Sequence, residues 1–309
     1  MNDEYGNRLR TVLEYIEANL QSALSLAELA EASHFSKYHF VRLFSALQGQ
    51  APMAYVTERR LLRAREYLRT TDKTMLDIAS LCGFGSLSRF NAAFKKRYDT
   101  TPSQMRRKMR QPSNLRQADG KIREEAAPME SYDGTSNNHR GFMRRVWGMN
   151  IEVMELPSCN VAYVTHVGSY LDTYKAWGTL GAWAENHRLF PPGQQFIGIS
   201  LDNPGVVDED GCRYEACVTV PDELLAAGSG NSQVAYQMLP GGLFARYKFY
   251  DTIDKFAFAY QSVYGGWLPD SGYEPDDRHA LEFCMNNPAT DPEGKAKVDL
   301  YVPIRRLGG

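Results

Sequence analysis

The sequence predicts a multidomain protein: an all-α N-terminal domain with two helix-turn-helix units, a linker, and an α+β C-terminal domain of duplicated strand–helix–strand–strand units. Three observations predict it. Residues 26–55 and 75–105 are two versions of one segment, charge is divided unequally along the 309 residues, and residues 146–309 carry a second, fainter duplication. In the first duplication Leu29, Ala30 and Phe35 recur 49 residues later as Ile78, Ala79 and Phe84. Phe40, Phe44 and Pro52 recur 50 residues later as Phe90, Phe94 and Pro102, so one residue is inserted in the turn between them.

Each copy is a short helix, a turn and a longer amphipathic helix with basic residues. Ahead of them, Leu9, Val12, Leu13, Ile16 and Leu20 form one stripe and predict a helix over Arg8 to Leu20. Leu26 to Ser33 is the short helix of the first unit. Ser36 is placed as the N-cap of the longer one, in which Phe40, Leu43, Phe44 and Leu47 follow the spacing of a buried face. Lys37, Tyr38, Val41, Arg42 and Ser45 are left on the outer face. Gly49 and Pro52 close the unit, and a connecting helix from Met53 to Arg69 carries Arg59, Arg60, Arg63, Arg65 and Arg69. In the second unit Ser86 is the N-cap and Phe90, Ala93, Phe94 and Tyr98 face inward. Leu87, Ser88, Arg89, Asn91, Ala92, Lys95 and Lys96 face outward. Arg and Lys pair with guanine edges and phosphates and Asn with adenine, so two such helices point to double-stranded DNA.

Charge agrees with that partner. Residues 1–110 carry 18 Lys and Arg against 11 Asp and Glu, a net of +7, whereas residues 146–309 carry 11 against 21, a net of −10. A basic first third beside an acidic remainder fits a nucleic-acid module joined to a different function.

The segments LAELAEASHFSKYHFVRLF and IASLCGFGSLSRFNAAFKKRYDTTPSQMRR resemble the DNA-binding domain of AraC/XylS transcription regulators, over about residues 8–110. The resemblance implies seven helices, with two recognition helices entering successive major-groove segments about one helical turn apart. It implies RNA polymerase as a further partner. Carried over by position, Tyr38, Val41 and Arg42 read bases from the first recognition helix, and Ser88, Arg89 and Ala92 hold the matching places in the second. Ala92 stands where the family often has Arg. The first helix is therefore expected to specify sequence, and the second, with Arg89, Lys95 and Lys96, mainly to anchor.

Residues 111–145 lack a sustained apolar period and are rich in Gly, Ser, Asn and charge, which predicts a tether. Beyond it, Leu156-Pro157 and Val161-Ala162 match Leu239-Pro240 and Phe244-Ala245 at a shift of 83, and Gly181-Ala182-Trp183 matches Gly265-Gly266-Trp267 at a shift of 84. Strand-like runs at Phe196–Leu201, Arg213–Val220, Leu281–Met285 and Lys297–Ile304 close the two halves. The order predicts an antiparallel sheet with helices on one face and a cleft between the halves as a ligand site.

The segments LPSCNVAYVTHVGSY, FIGISLDNP, CRYEACVTVP, LPGGLFARYKF, YGGWLPDSGY, HALEFCMNNP and VDLYVPI resemble the GyrI-like family of effector-binding domains, over nearly all of residues 150–305. In that family a Glu in the LEF-type strand lies in an aromatic pocket and attracts cationic or amphipathic ligands, a property tied to multidrug response. Glu282 is the match. On an alternating strand it faces away from Leu281 and Phe283. Tyr163, Tyr170, Tyr214, Phe249 and Trp267 are the candidate walls: rings supply area and cation–π attraction, and the carboxylate supplies charge. His166 reads as structural.

The leading expectation is a transcription regulator with a small-molecule effector. The alternatives are a GyrI-like small-molecule hydrolase using Glu282 and a tyrosine hydroxyl as acid and base, and a toxin- or gyrase-interacting protein. The chain carries no P-loop, GxGxxG, HExxH or persuasive Ser/His/Asp arrangement, so neither a catalytic apparatus of those kinds nor a cofactor is expected. The five cysteines, at 82, 159, 212, 217 and 284, form no CxxC pair, and no metal site is expected. No leader and no apolar run of about 20 residues is present, which predicts a cytoplasmic, nucleoid-associated protein without a membrane partner.

Overall fold

The computed structural model describes residues 3–110, 150–204, 206–226 and 233–307; the tether expected over 111–145 lies outside them. The contacts divide the chain into two compact units, one of helices and one built on a sheet, and the second also takes in Val41–Ala46.

The N-terminal helices are α1 (Asp3–Ala18), α2 (Leu26–Ala32), α3 (Lys37–Gln48), α4 (Pro52–Thr70), α5 (Met75–Leu81), α6 (Leu87–Tyr98) and α7 (Pro102–Met109). Seven helices among the described residues match the AraC-type expectation, although α1 starts five residues before Arg8. The repeat extends to the caps. Ser25 and Glu28 form a capping box on α2, and Thr74 and Asp77 form the same box on α5, 49 residues later. Such a box satisfies donors that a seven-residue helix cannot satisfy itself. Ser86 caps α6 by accepting from the Arg89 amide at 3.2 Å. Pro52 and Pro102, the repeated prolines, each open a helix, where a missing N–H costs nothing.

The turns between the paired helices need a left-handed residue. It is His34 in the first unit (φ 57°) and Gly83 in the second (φ 75°). Behind them the repeated aromatics form the cores. Phe40 and Phe44 are buried with Leu43 and Leu47; Phe90 and Phe94 are buried with Leu61, Ala64, Leu68, Ile78, Ala79 and Cys82. Several arginines of α4 serve the fold. Arg60 donates to the carbonyls of Leu20 (2.9 Å) and Ser22 (2.6 Å), Arg59 pairs with Glu17, Arg69 pairs with Glu66, and Arg65 is buried.

The second unit is an antiparallel sheet of β1 (Ile151–Leu156), β2 (Cys159–Val167), β3 (Phe196–Ser200), β4 (Arg213–Thr219), β5 (Ala235–Leu239), β6 (Gly242–Asp251), β7 (Tyr273–Pro275), β8 (Leu281–Cys284) and β9 (Ala296–Arg306). Their order is β1-β6-β9-β8-β3-β4-β2-β5, with β7 on β9. The order reads as a duplication about the central β8–β3 pair: β6-β9-β8 mirrors β2-β4-β3. The sequence signal missed one feature. Each Leu-Pro motif is a crossover, so that β1 pairs with β6 of the other half and β5 pairs with β2.

One face of the sheet carries α8 (Tyr174–Asn186), whose Ala176, Leu180, Trp183 and Ala184 pack with Ala162, Tyr214, Ala216 and Val218. Its counterpart in the second half is α10 (Ala257–Gln261), continued by a π-helical turn at Ser262–Trp267; a short α9 (Asp222–Ala226) follows β4. The opposite face holds a separate core of Val161, Ile197, Ile199, Cys217, Leu239, Phe244, Leu281 and Tyr301. No helix among the described residues is long and apolar enough to cross a membrane.

Candidate nucleic-acid face and ligand site

In α6 the alternation of buried and exposed positions is complete. Phe90 and Phe94 are buried, whereas Leu87, Ser88, Arg89, Asn91, Ala92, Lys95 and Lys96 are all exposed. The face therefore offers one guanidinium, two ammonium groups, an amide and two small side chains. On α3, Lys37 is exposed and Tyr38, Arg42 and Ser45 are half-buried. Val41 departs from the outward placement the sequence predicts: it is 3% exposed. The matching position in α6, Asn91, is exposed, and the contacts group Val41 with the sheet unit rather than with the helices, so the apolar stripe of α3 does not account for its burial.

On the sheet, Glu282 sits on β8 opposite Gly198 of β3, at the centre of the duplication. Strand alternation turns it away from Leu281 and Phe283, which belong to the opposite core. Its Oε1 accepts hydrogen bonds from the Ser200 hydroxyl (2.8 Å) and the Tyr260 hydroxyl (2.7 Å). The Tyr214 hydroxyl is a third donor, and Tyr214 is in turn hydrogen-bonded by the Trp177 side chain. The absence of a side chain at Gly198 makes this possible, since a Cβ there would lie 2.0 Å from the Tyr214 hydroxyl and 3.0 Å from Glu282 Oε2. The rings continue outward: Trp177 lies 6.3 Å from Tyr214, Tyr170 lies 5.9 Å from it, and Tyr260 stacks with Tyr264 at 6.5 Å.

Five walls were expected around Glu282, and the structure brings some of them together. Tyr214 touches the carboxyl. Tyr170 joins the ring cluster, but its hydroxyl is spent on the carbonyls of Asp202 (2.8 Å) and Arg213 (3.0 Å). Phe249 lies on the helix-covered face and reaches the site only through Phe256 (5.1 Å) and then Tyr260 (5.7 Å). Tyr163 is corrected: like Val161 it points into the opposite core, because odd-numbered residues of β2 face away from α8. Trp267 is also corrected. It ends the π-helical turn and stacks on Tyr273 at 6.0 Å rather than on the Glu282 cluster. Trp177, Tyr260 and Ser200 were missed. Trp177 and Tyr260 are 83 residues apart in the sequence, the shift of the repeat, and that signal could have found them. His166 contacts the Ser169 carbonyl at 2.9 Å, in keeping with a structural role.

Burial pushes the Glu282 carboxyl above the ordinary carboxylate range, outweighing the hydroxyls of Tyr260 and Ser200, the positive charge of Arg42 and the hydroxyl of Tyr214, which pull it down. Burial, followed by the neighbouring Glu282, pushes the Tyr214 hydroxyl well above its usual value. The Cys284 thiol beside them is pushed up to about 12, and Cys82 to about 11, both chiefly by burial. Such thiols are poor nucleophiles.

The raised Glu282 pKa favours the protonated folded form, so its stabilisation is present below the unfolded carboxyl pKa and is lost as pH rises through the folded value. Glu282→Gln keeps the acceptor and removes the charge. Its stability should match the wild type at pH 4 and exceed it at pH 8 by about 1–3 kcal/mol. Urea unfolding followed by tryptophan fluorescence reads this half alone, because Trp147, Trp177, Trp183 and Trp267 all lie beyond residue 146. A gap independent of pH would contradict the assignment.

Comparisons with known proteins agree with both halves. A model described as a GyrI-like small molecule binding domain matches residues 149–305, and a helix-turn-helix domain model matches residues 29–108. The probable transcription factor PqrA of Proteus vulgaris is 36% identical over 102 residues, which are 32% of this chain and 84% of that protein. The regulatory protein SoxS of Salmonella typhimurium is 33% identical over 101 residues, 33% of this chain and 94% of that protein. A solved transcriptional regulator of Chromobacterium violaceum, described by its AraC-type DNA-binding domain, is 32% identical, covers 36% of this chain and 99% of its own, and aligns with a TM-score of 0.33. With its double helix-turn-helix domain followed by a family match over more than half its length, the chain belongs to the AraC-type transcription regulators that carry a GyrI-like small-molecule binding domain.

Proposed function

We propose that this regulator reads DNA with the outer faces of α3 and α6 and holds a lipophilic cation against Glu282. The observation that carries the reading is Glu282 itself: a buried carboxyl beneath three hydroxyls and a cluster of rings, on the central strand pair of the duplicated sheet. A carboxylate in such surroundings gains most from a ligand that brings positive charge and apolar area together. Proton loss from Glu282 then accompanies cation binding, so affinity should rise with pH. RNA polymerase is the further partner that the reading includes.

Titration calorimetry with tetraphenylphosphonium tests the ligand half. Glu282→Gln should weaken binding by about tenfold or more, the scale of one lost charge-assisted contact. Unchanged affinity would remove Glu282 from the site, and turnover of a bound ester probe would replace binding by catalysis.

On the DNA side, Lys37, Tyr38 and Arg42 of α3 supply the sequence-reading contacts. Ser88, Arg89, Lys95 and Lys96 of α6 anchor, with Ala92 leaving that helix short of one base-reading side chain. Lys96→Ala should weaken binding to all sequences alike and lower the slope of log K against log salt by about 1. Arg42→Ala should instead relax base preference, costing about 1–3 kcal/mol at one or two positions of the site. Val41, buried here, supplies no base contact in this reading.

A further inference from the structure

On the sheet face opposite Glu282 lies a second cavity of about 330 Å³, lined by Ile199, Leu201, Leu239 and Leu281 on its floor and by Glu215 and Gln237 on its polar side. That volume is at the lower end of ligand cavities, and the exposed Met238 stands beside Pro240 in its wall. Its charges are not equivalent. Arg213 also lines it but is committed to Asp202, with Nε and NH2 donating at 2.8 and 3.0 Å. Arg278 is committed to Asp276 and to the carbonyls of Gly241 (2.7 Å) and Leu243 (3.0 Å), and its guanidinium lies 4.5 Å from the Phe244 ring centroid. Each guanidinium is thus neutralised by its own aspartate. Glu215 accepts from the Gln237 amide at 2.6 Å, and no cation among the described residues makes an ion pair with it. His279 also lines the cavity within reach of the Glu215 charge, but burial holds its imidazole below the usual pKa, so it adds no positive charge at neutral pH. The counterpart of Glu215 by the repeat shift, Asp299, does have an ion-pair partner, in Arg246 at 3.8 Å. The cavity therefore carries one unneutralised carboxylate above an aliphatic floor.

We propose that this cavity is a second ligand site, for a small aliphatic ammonium whose N–H groups bond Glu215 and whose hydrocarbon chain covers Ile199, Leu201 and Leu281. Its chemistry differs from that at Glu282. Aromatic walls suit a bulky quaternary or delocalised cation through ring faces. A mainly aliphatic lining, with His279 as its one aromatic member, suits an alkyl chain, and a half-buried carboxylate suits a primary ammonium with three donors.

The test is titration of the full-length protein with hexylammonium and with hexanoate. Hexylammonium should bind, hexanoate should not, and Glu215→Gln should weaken hexylammonium by about tenfold or more while Glu282→Gln changes it by less than about twofold. Leu201→Phe, which fills the floor without touching the carboxylate, should also weaken it and serves if Glu215→Gln fails to fold. No hexylammonium binding, tighter binding of hexanoate, or loss of binding in Glu282→Gln with retention in Glu215→Gln would each overturn the proposal. Because the second site is read with its own probe and variants, failure here leaves the tetraphenylphosphonium result at Glu282 standing or falling by itself.

Discussion

Gly198→Ala should destabilise the C-terminal domain by about 2–3 kcal/mol, the cost of forcing an extra carbon into a packed site. The added Cβ would lie 2.0 Å from the Tyr214 hydroxyl, 2.8 Å from Tyr214 Cζ and 3.0 Å from Glu282 Oε2. Tyr214 has little room to retreat: it is 7% exposed and bounded by Trp177 and Tyr170. Removing the hydroxyl relieves the shortest contact, so Tyr214→Phe, which alone leaves a buried carboxyl short of a donor, should partly rescue Gly198→Ala. Tryptophan-detected urea unfolding of the two single variants and the double gives the coupling energy. Strict additivity would mean that the Gly198–Tyr214–Glu282 arrangement does not hold in solution. The same variant should lose tetraphenylphosphonium affinity, because the displaced ring is part of the wall.

The second large effect compares the two helix-turn-helix units at their matching turn residues. Gly83→Ala places a Cβ 2.2 Å from the Leu20 carbonyl oxygen, a backbone atom that cannot move cheaply, and imposes a left-handed conformation on a non-glycine residue. Together these should cost about 3 kcal/mol or more. His34 occupies the equivalent turn at φ 57° and is exposed. His34→Gly removes the left-handed cost but adds unfolded-chain entropy of similar size, and should change stability by less than about 1 kcal/mol. Helical circular dichroism at 222 nm during thermal unfolding measures both. Equal effects at the two turns would show that the Leu20 carbonyl does not crowd Gly83.

Much of this architecture was legible because it is repeated. Phe40/Phe90, Phe44/Phe94 and Pro52/Pro102 exposed the two helical units, and an alternating Val298-Leu300-Val302-Ile304 run gave β9 almost to the residue. Periodicity also placed Glu282 on the correct face of β8. What it could not give is pairing. The exchange of β1 and β5 between halves depends on contacts across 72 to 96 residues, and nothing local in the Leu-Pro motifs announces a crossover. The errors at the ligand site have the same origin. Tyr163 and Trp267 are aromatics near a motif, yet the face of β2 and the wide π turn decide where they point. Tyr260 and Ser200, which do touch Glu282, lie in segments whose composition is ordinary. Val41 marks the limit of the helical-wheel argument, since its contacts group it with the sheet unit, which local periodicity does not reveal.

The central claim, that one chain couples an AraC-type DNA reader to a carboxylate-based ligand site, is tested most directly by sequence selection. The full-length protein is presented with a random duplex pool, with and without tetraphenylphosphonium, beside its Arg42→Ala and Glu282→Gln variants. The wild type should enrich one bipartite motif with half-sites about one helical turn apart. Arg42→Ala should blur one half-site, and any response to the cation should disappear in Glu282→Gln. Enrichment of no motif by the wild type, or a cation response that survives in Glu282→Gln, would contradict the claim.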